Sequence, residues 1–137
     1  MPELRGIDAN IILRYLLRDN IDQWEKATRL IESNELLALT AVALAEVAWT
    51  LTGQQYRMER GPVAVILLRL IARENISLVG CDKAQAQAAL QACARPVGAA
   101  GFGDALITAC SRSFSVREIY SFDRRFDRTG LTSIAPL

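Results

Sequence analysis

Four carboxylates in this chain stand where folding alone gives little reason for them. Asp8 closes an apolar run, Leu4 to Asp8, and is followed at once by an apolar helical pattern. Asp123 comes just after a second run, Glu118 to Ser121. Glu46 is the only charge between Leu36 and Trp49, on a helical stretch whose i−4, i−3 and i+3 neighbours are Val42, Ala43 and Trp49. That setting predicts a partly buried carboxylate, which needs a compensating partner because an unpaired buried charge is costly. Asp104 lies in Phe102-Gly103-Asp104-Ala105-Leu106, at the start of a helix, where the positive end of the dipole favours an anion.

Taken singly, each acid also has an ordinary structural role. Asp8 and Asp123 can be turn or cap residues, Asp104 a first-turn acid, and Glu46 half of a salt bridge. Taken together, two acids at strand ends, one on the helix after strand two and one opening a late helix can meet at the carboxyl edge of an open α/β sheet, where ligands bind. Converging carboxylates repel one another, so at neutral pH they must be protonated or hold a cation. A ligand set made only of oxygen selects Mg²⁺ or Mn²⁺ over Zn²⁺ or Cu²⁺. Asn10 can add a carbonyl oxygen to the cluster and Ser121 a hydroxyl.

Composition narrows the chemistry further. The 137 residues include no histidine, which excludes Ser/His/Asp and Cys/His nucleophile pairs and every histidine zinc site. With 16 basic and 15 acidic side chains the net charge is +1, so polyanion binding must come from a local patch. Arg112, Arg117, Arg124, Arg125 and Arg128 gather near Asp123, and Arg14 and Arg18 can border the same cleft. These arginines, Arg14, Arg112, Arg124 and Arg125 foremost, are the candidate substrate contacts. Cys81, Cys93 and Cys110 form no C-x-x-C pair and read as small buried hydrophobes. Gly98 to Gly103 lacks the G-x-G-x-x-G spacing and follows a helix, so it reads as a hinge and not as a nucleotide loop. Neither a signal peptide nor a membrane span is expected, which implies a cytoplasmic protein.

The elements that must carry the acids alternate between short apolar runs and helical periods, the pattern of an α/β domain with a mostly parallel sheet. Strands are expected at Leu4 to Asp8, Leu36 to Thr40, Ile76 to Gly80, Glu118 to Ser121 and Thr132 to Ala135. Helices are expected from Asn10 to Arg18, from an Asn20 cap to about Asn34, and from Ala41 to Thr52. Three more run from Gly61-Pro62 to about Arg73, from an Asp82 cap with Gln85 to about Arg95, and on to about Ser113 after the glycine hinge. At 51% hydrophobic and 23% charged, residues 1–137 suit one compact domain with a core of ordinary size.

Asp8-Ala9-Asn10, Glu46 within Ala43-Leu44-Ala45-Glu46-Val47, Phe102-Gly103-Asp104-Ala105-Leu106 and Ser121-Phe122-Asp123 resemble, in order and spacing, the four acidic motifs of the PIN-domain family. The chain is most similar to the VapC-type toxins of bacterial toxin-antitoxin pairs, and the resemblance covers essentially its whole length. Arg14-Tyr15-Leu16-Leu17 and Asp123-Arg124-Arg125-Phe126 are also typical. Ala9 stands where the family often has Thr, and Ser121 where Thr is common, although serine keeps the hydroxyl.

The resemblance implies a single three-layer α/β/α domain and an Mg²⁺- or Mn²⁺-dependent endoribonuclease. Asp8, Asp104 and Asp123 would hold metal, with Glu46 binding it directly or through water, or orienting the nucleophile. It further implies a cognate antitoxin, a homodimer, and attack by water that leaves a 5′-phosphate and a 3′-hydroxyl. Trp24, Leu30, Ile31, Trp49 and Leu51 either line a groove for the antitoxin or belong to the core. Two other functions compete with the ribonuclease. One is a different Mg²⁺ phosphotransfer enzyme, and the other a PIN-like module that binds RNA or protein without cutting.

Overall fold

The computed structural model describes residues 3–96, 98 and 100–137. Six helices and five strands follow one another as β1 (Arg5–Gly6), α1 (Ala9–Leu16), α2 (Ile21–Ile31), β2 (Leu37–Thr40), α3 (Ala41–Thr52), α4 (Arg60–Ile71), β3 (Ile76–Val79), α5 (Lys83–Cys93), α6 (Phe102–Ser113), β4 (Glu118–Tyr120) and β5 (Thr132–Ile134). A 3₁₀ helix, Arg124–Arg128, lies between the last two strands and was not foreseen from the pattern. The fold is a three-layer α/β/α arrangement with parallel strands, as the alternation of elements requires.

The strands divide into two parallel sheets instead of one. β2 pairs with β1 on one side, Gly6 opposite Ala38, and with β3 on the other, Leu39 opposite Leu78. β4 pairs with β5, Ile119 opposite Ser133. Asp123 therefore follows a strand of the second sheet, whereas Asp8 follows a strand of the first. Both β1 and β4 are short, two and three residues, which limits the ladder each can form.

β2 is the buried spine, with Leu37 and Leu39 fully enclosed. Leu44, Val47 and Leu51 of α3 and Val63, Leu67 and Ile71 of α4 join the same hydrophobic cluster. Each such side chain contributes roughly 1.5–3 kcal/mol relative to exposure. Helix starts follow the expected chemistry at α2 and α3, where the Asn20 carboxamide oxygen accepts from the Gln23 N–H and the Thr40 hydroxyl accepts from the Ala43 N–H, both at 3.1 Å. Asp82 occupies the cap position of α5 but makes no side-chain cap bond; its own N–H donates instead to the Ser113 hydroxyl at 2.7 Å.

Cys81 and Cys93 are buried and Cys110 is half-buried. Within the expected Gly98–Gly103 hinge, Ala99 lies outside the described residues, while Gly98 has φ +70° and Gly101 caps α6. Among the described residues no helix is long and apolar enough to cross a membrane.

Candidate active site

Strand register places the first acid. Ile7 N–H donates to the Ala38 carbonyl at 3.0 Å, continuing the β1–β2 ladder to its end, where Asp8 leaves the sheet beside Thr40. Asp8 is the N-cap of α1, its Oδ1 accepting from the Ile11 N–H at 3.1 Å. Thr40 caps α3, so two helices start side by side at the carboxyl edge of the parallel strands. Glu46 lies six residues past the Thr40 cap, about 9 Å along α3 at 1.5 Å per residue.

The face that carries Glu46 is open. Glu46 itself is exposed, and its neighbours Val42 and Trp49 are 78% and 80% exposed. The expectation of a partly buried carboxylate is therefore corrected. Apolar residues run around the whole of α3, and the side that packs inward is the one carrying Ala43, Leu44, Val47, Ala48 and Leu51. Of the residues proposed for a groove, Ile31 and Leu51 are core and Trp24 and Leu30 are half-buried, leaving Trp49 as the exposed one.

Arg125 relates Asp123, which binds it, to Asp104, which lines a cavity with it. Asp104 sits in the first turn of α6, half-buried. Asp123 caps the 3₁₀ helix, its Oδ1 accepting from the Arg125 N–H at 2.9 Å, and its other oxygen meets the Arg125 guanidinium at 2.6 Å. These contacts hold the Asp123 carboxyl below the usual carboxylate range. Arg125 is held in its charged form first by Asp123 and, through space, by Asp104. Asp104 and Arg125 also line one cavity of about 230 Å³.

Supporting contacts fix this group. The Ser121 hydroxyl accepts from the Asp123 N–H at 2.9 Å, so the serine orients the turn that presents the acid. Thr108, buried in α6, reaches the Asp104 carbonyl at 2.9 Å and touches the Thr129 hydroxyl, which donates to the Phe126 carbonyl at 2.7 Å. That chain of hydroxyls seats the 3₁₀ helix against α6. Asn10, in the first turn of α1 beside Asp8, is exposed.

The candidate arginines separate. Arg14 is held by Asp19 at 2.6 Å, and Arg124 is exposed with Asp127 4.0 Å away. Arg125 is committed to Asp123, whereas Arg112 lies over Gly130, whose φ of +102° and lack of Cβ admit it; a Cβ there would sit 2.6 Å from the guanidinium. Arg60 and Arg95, which sequence spacing did not single out, also line cavities at this end of the molecule. Arg95 stands alone in the sequence and Arg60 follows Glu59 and Arg57, a mixed-charge stretch that does not mark a basic patch.

Among the described residues, no three acidic or cysteine side chains stand close enough together to hold a metal ion. The structure binds Asp123 to the Arg125 guanidinium, places Asp104 in a cavity that Arg125 also lines, and sets Asp8 and Glu46 on the elements at the sheet edge. The carboxylates of Asp104 and Asp123 fit a hard divalent ion in charge and donor type, and Asp123 already binds a positive group. A family model for the PIN domain matches residues 7–131, a span that contains all four acids. No curated protein matches the chain.

Proposed function

The chain belongs to the PIN-domain family, a nuclease-type fold whose members are typically metal-dependent, and from that premise we propose that it is an Mg²⁺- or Mn²⁺-dependent endoribonuclease acting as the toxin of a toxin-antitoxin pair. The observation that carries this reading is that Asp104 lines one cavity with Arg125, the residue whose guanidinium the Asp123 carboxylate binds. The packing of the 3₁₀ helix on α6 brings the turns that carry these two carboxylates to one end of the molecule. Two carboxylates at one end suit a bound cation.

In this reading Asp104 and Asp123 hold the divalent ion, and Asp8 and Glu46 complete its surroundings directly or through water. The ion, when bound, lowers the pKa of water and offsets charge on the phosphodiester. Ser121 and the first turn of the 3₁₀ helix keep the Asp123 carboxyl in place. The Ile11 N–H fixes the Asp8 carboxyl at the sheet edge. With no histidine in the chain, proton transfer to or from the reacting oxygens falls to these carboxylates or to water. A cognate antitoxin, a homodimer and a cytoplasmic location belong to the same proposal.

Cleavage of RNA in Mg²⁺ or Mn²⁺, abolished by excess EDTA and by Asp104→Asn, is the expected result. Undiminished cleavage in EDTA defeats the assignment. For the toxin role, expression should arrest growth, and co-expression of an adjacent small DNA-binding protein should relieve the arrest. A non-catalytic PIN-like binding module is the second reading, favoured by the absence of a three-acid cluster among the described residues. Calorimetric titration with Mn²⁺ separates the two: the nuclease binds the ion at the Asp104–Asp123 pair, and the module does not.

A further inference from the structure

Arg128, the last residue of the 3₁₀ helix, lines three cavities of about 140, 570 and 230 Å³. They share walls. Arg95 and Arg128 border the first two, Arg60 and Arg128 the second and third, and Thr129 joins the first to the third. Arg112 closes the far end of the first. The result is a continuous trough flanked by four exposed arginines from α4, the end of α5, α6 and the 3₁₀ helix.

Two carboxylates line these cavities, Glu59 midway and Asp104 at one end. Among the described residues none of the four arginines forms an ion pair with a carboxylate, although Arg14, Arg124 and Arg125 all do. Four like charges gathered in a chain of net charge +1 repel one another, and the two carboxylates between them are fewer than the guanidinium groups; Arg60 also donates to the Ala100 carbonyl at 3.2 Å. Guanidinium forks in such a row suit a row of phosphates. The trough ends at Asp104, so a strand lying in it runs onto one of the acids assigned to cleavage.

We propose that this trough, bounded by Arg60, Arg95, Arg112 and Arg128, is the path of the RNA backbone beside the bond that is cut. The proposal rests on the reading of the chain as an RNA-cleaving enzyme. Arg60 and Arg95 thereby join the substrate contacts, and Arg14 leaves them.

The test is binding of a fluorescein-labelled, random-sequence single-stranded RNA by anisotropy, in EDTA, over a range of salt. All the arginines changed are exposed, so folding is not at issue. Arg95→Ala/Arg128→Ala should weaken binding about tenfold at low salt and flatten the log–log salt dependence by about 1.4, at roughly 0.7 per phosphate contact for single strands. Arg29→Ala, on α2, should change neither. An unchanged salt slope in the double variant overturns the proposal, and loss of poly-glutamate binding with RNA binding intact reassigns the trough to an acidic protein partner. Wild-type protein that cleaves RNA while the double variant binds it normally defeats only the path. Wild-type protein that neither binds nor cleaves RNA defeats the nuclease reading and the path together.

Discussion

Arg125 meets the Asp123 carboxylate with three of its nitrogens: the backbone N–H on one oxygen at 2.9 Å, and Nε and Nη2 on the other at 2.7 and 2.6 Å. A carboxylate so engaged is oriented, and its charge is already balanced. Any divalent ion bound by Asp104 and Asp123 competes with that guanidinium for the same oxygens. Arg125→Ala is therefore expected to tighten Mn²⁺ binding severalfold by calorimetry while leaving thermal stability nearly unchanged, because exposed ion pairs contribute little to folding. Weaker Mn²⁺ binding in the variant would mean that Arg125 orients Asp123 for the ion instead of competing with it.

Asp8 holds two roles that substitution can part. Its carboxylate caps α1, and asparagine caps as well as aspartate. Asp8→Asn should keep the melting temperature and lose cleavage by about 100-fold or more, the scale on which removal of a group acting on developing charge is felt. Asp8→Ala should lose cleavage and also about 1 kcal/mol of stability through the missing cap. Full activity of the asparagine variant in Mg²⁺ would remove Asp8 from the site.

One side-chain amide fastens the front of the sheet. Asn75 Nδ2 donates toward the carbonyls of Ile31, Ser33 and Glu35 at 3.0, 3.2 and 3.2 Å, tying the end of α2 and the approach to β2 onto the start of β3. Asn75→Ala should cost about 1–3 kcal/mol in chemical denaturation. Asn75→Asp should cost more, since a carboxylate would face three carbonyl oxygens. Equal stability of the two variants would show that the amide contacts contribute little.

Burial pushes the Cys93 thiol up to about 11, with Arg60 opposing the shift. The native protein should therefore react slowly with a thiol reagent at pH 8, and the Cys93 signal should appear only as the chain unfolds. The linkage has a definite sign. Between the ordinary thiol value of 9.0 and about 11 the folded state keeps a proton that the unfolded state has lost. Stability must then fall as pH rises through that window. Rapid labelling of Cys93 under native conditions would contradict its burial.

Elements were legible wherever local chemistry decides them. Ala41–Thr52 starts and stops where its capping residue and Gly53 place it, Phe102–Ser113 ends as expected but starts two residues inside the expected Gly98–Gly103 hinge, and Leu37–Thr40 lies within its expected run. Strand ends were read too long at Leu4 to Asp8, because the β1 ladder has two residues, set by its partner and not by its own apolar run. The 3₁₀ helix that carries Arg125 and Arg128 gives no periodic signal, since five residues are too few to show one.

By itself the sequence determined which residues could do chemistry: four acids in ordered contexts, no imidazole, and an arginine-rich end. Types, caps and short-range periods are local properties, and they survive in a linear string. Tertiary structure alone decided that Glu46 faces outward, that Asp104 shares a cavity with the Arg125 that Asp123 binds, and that Arg60 and Arg95 border one cavity with Arg128. Each depends on how helices rotate and pack against one another across long stretches of chain. A mostly apolar helix such as α3, with Glu46 its one charge, offers no polar stripe to announce its outer face, and arginines far apart in sequence announce nothing until the fold aligns them.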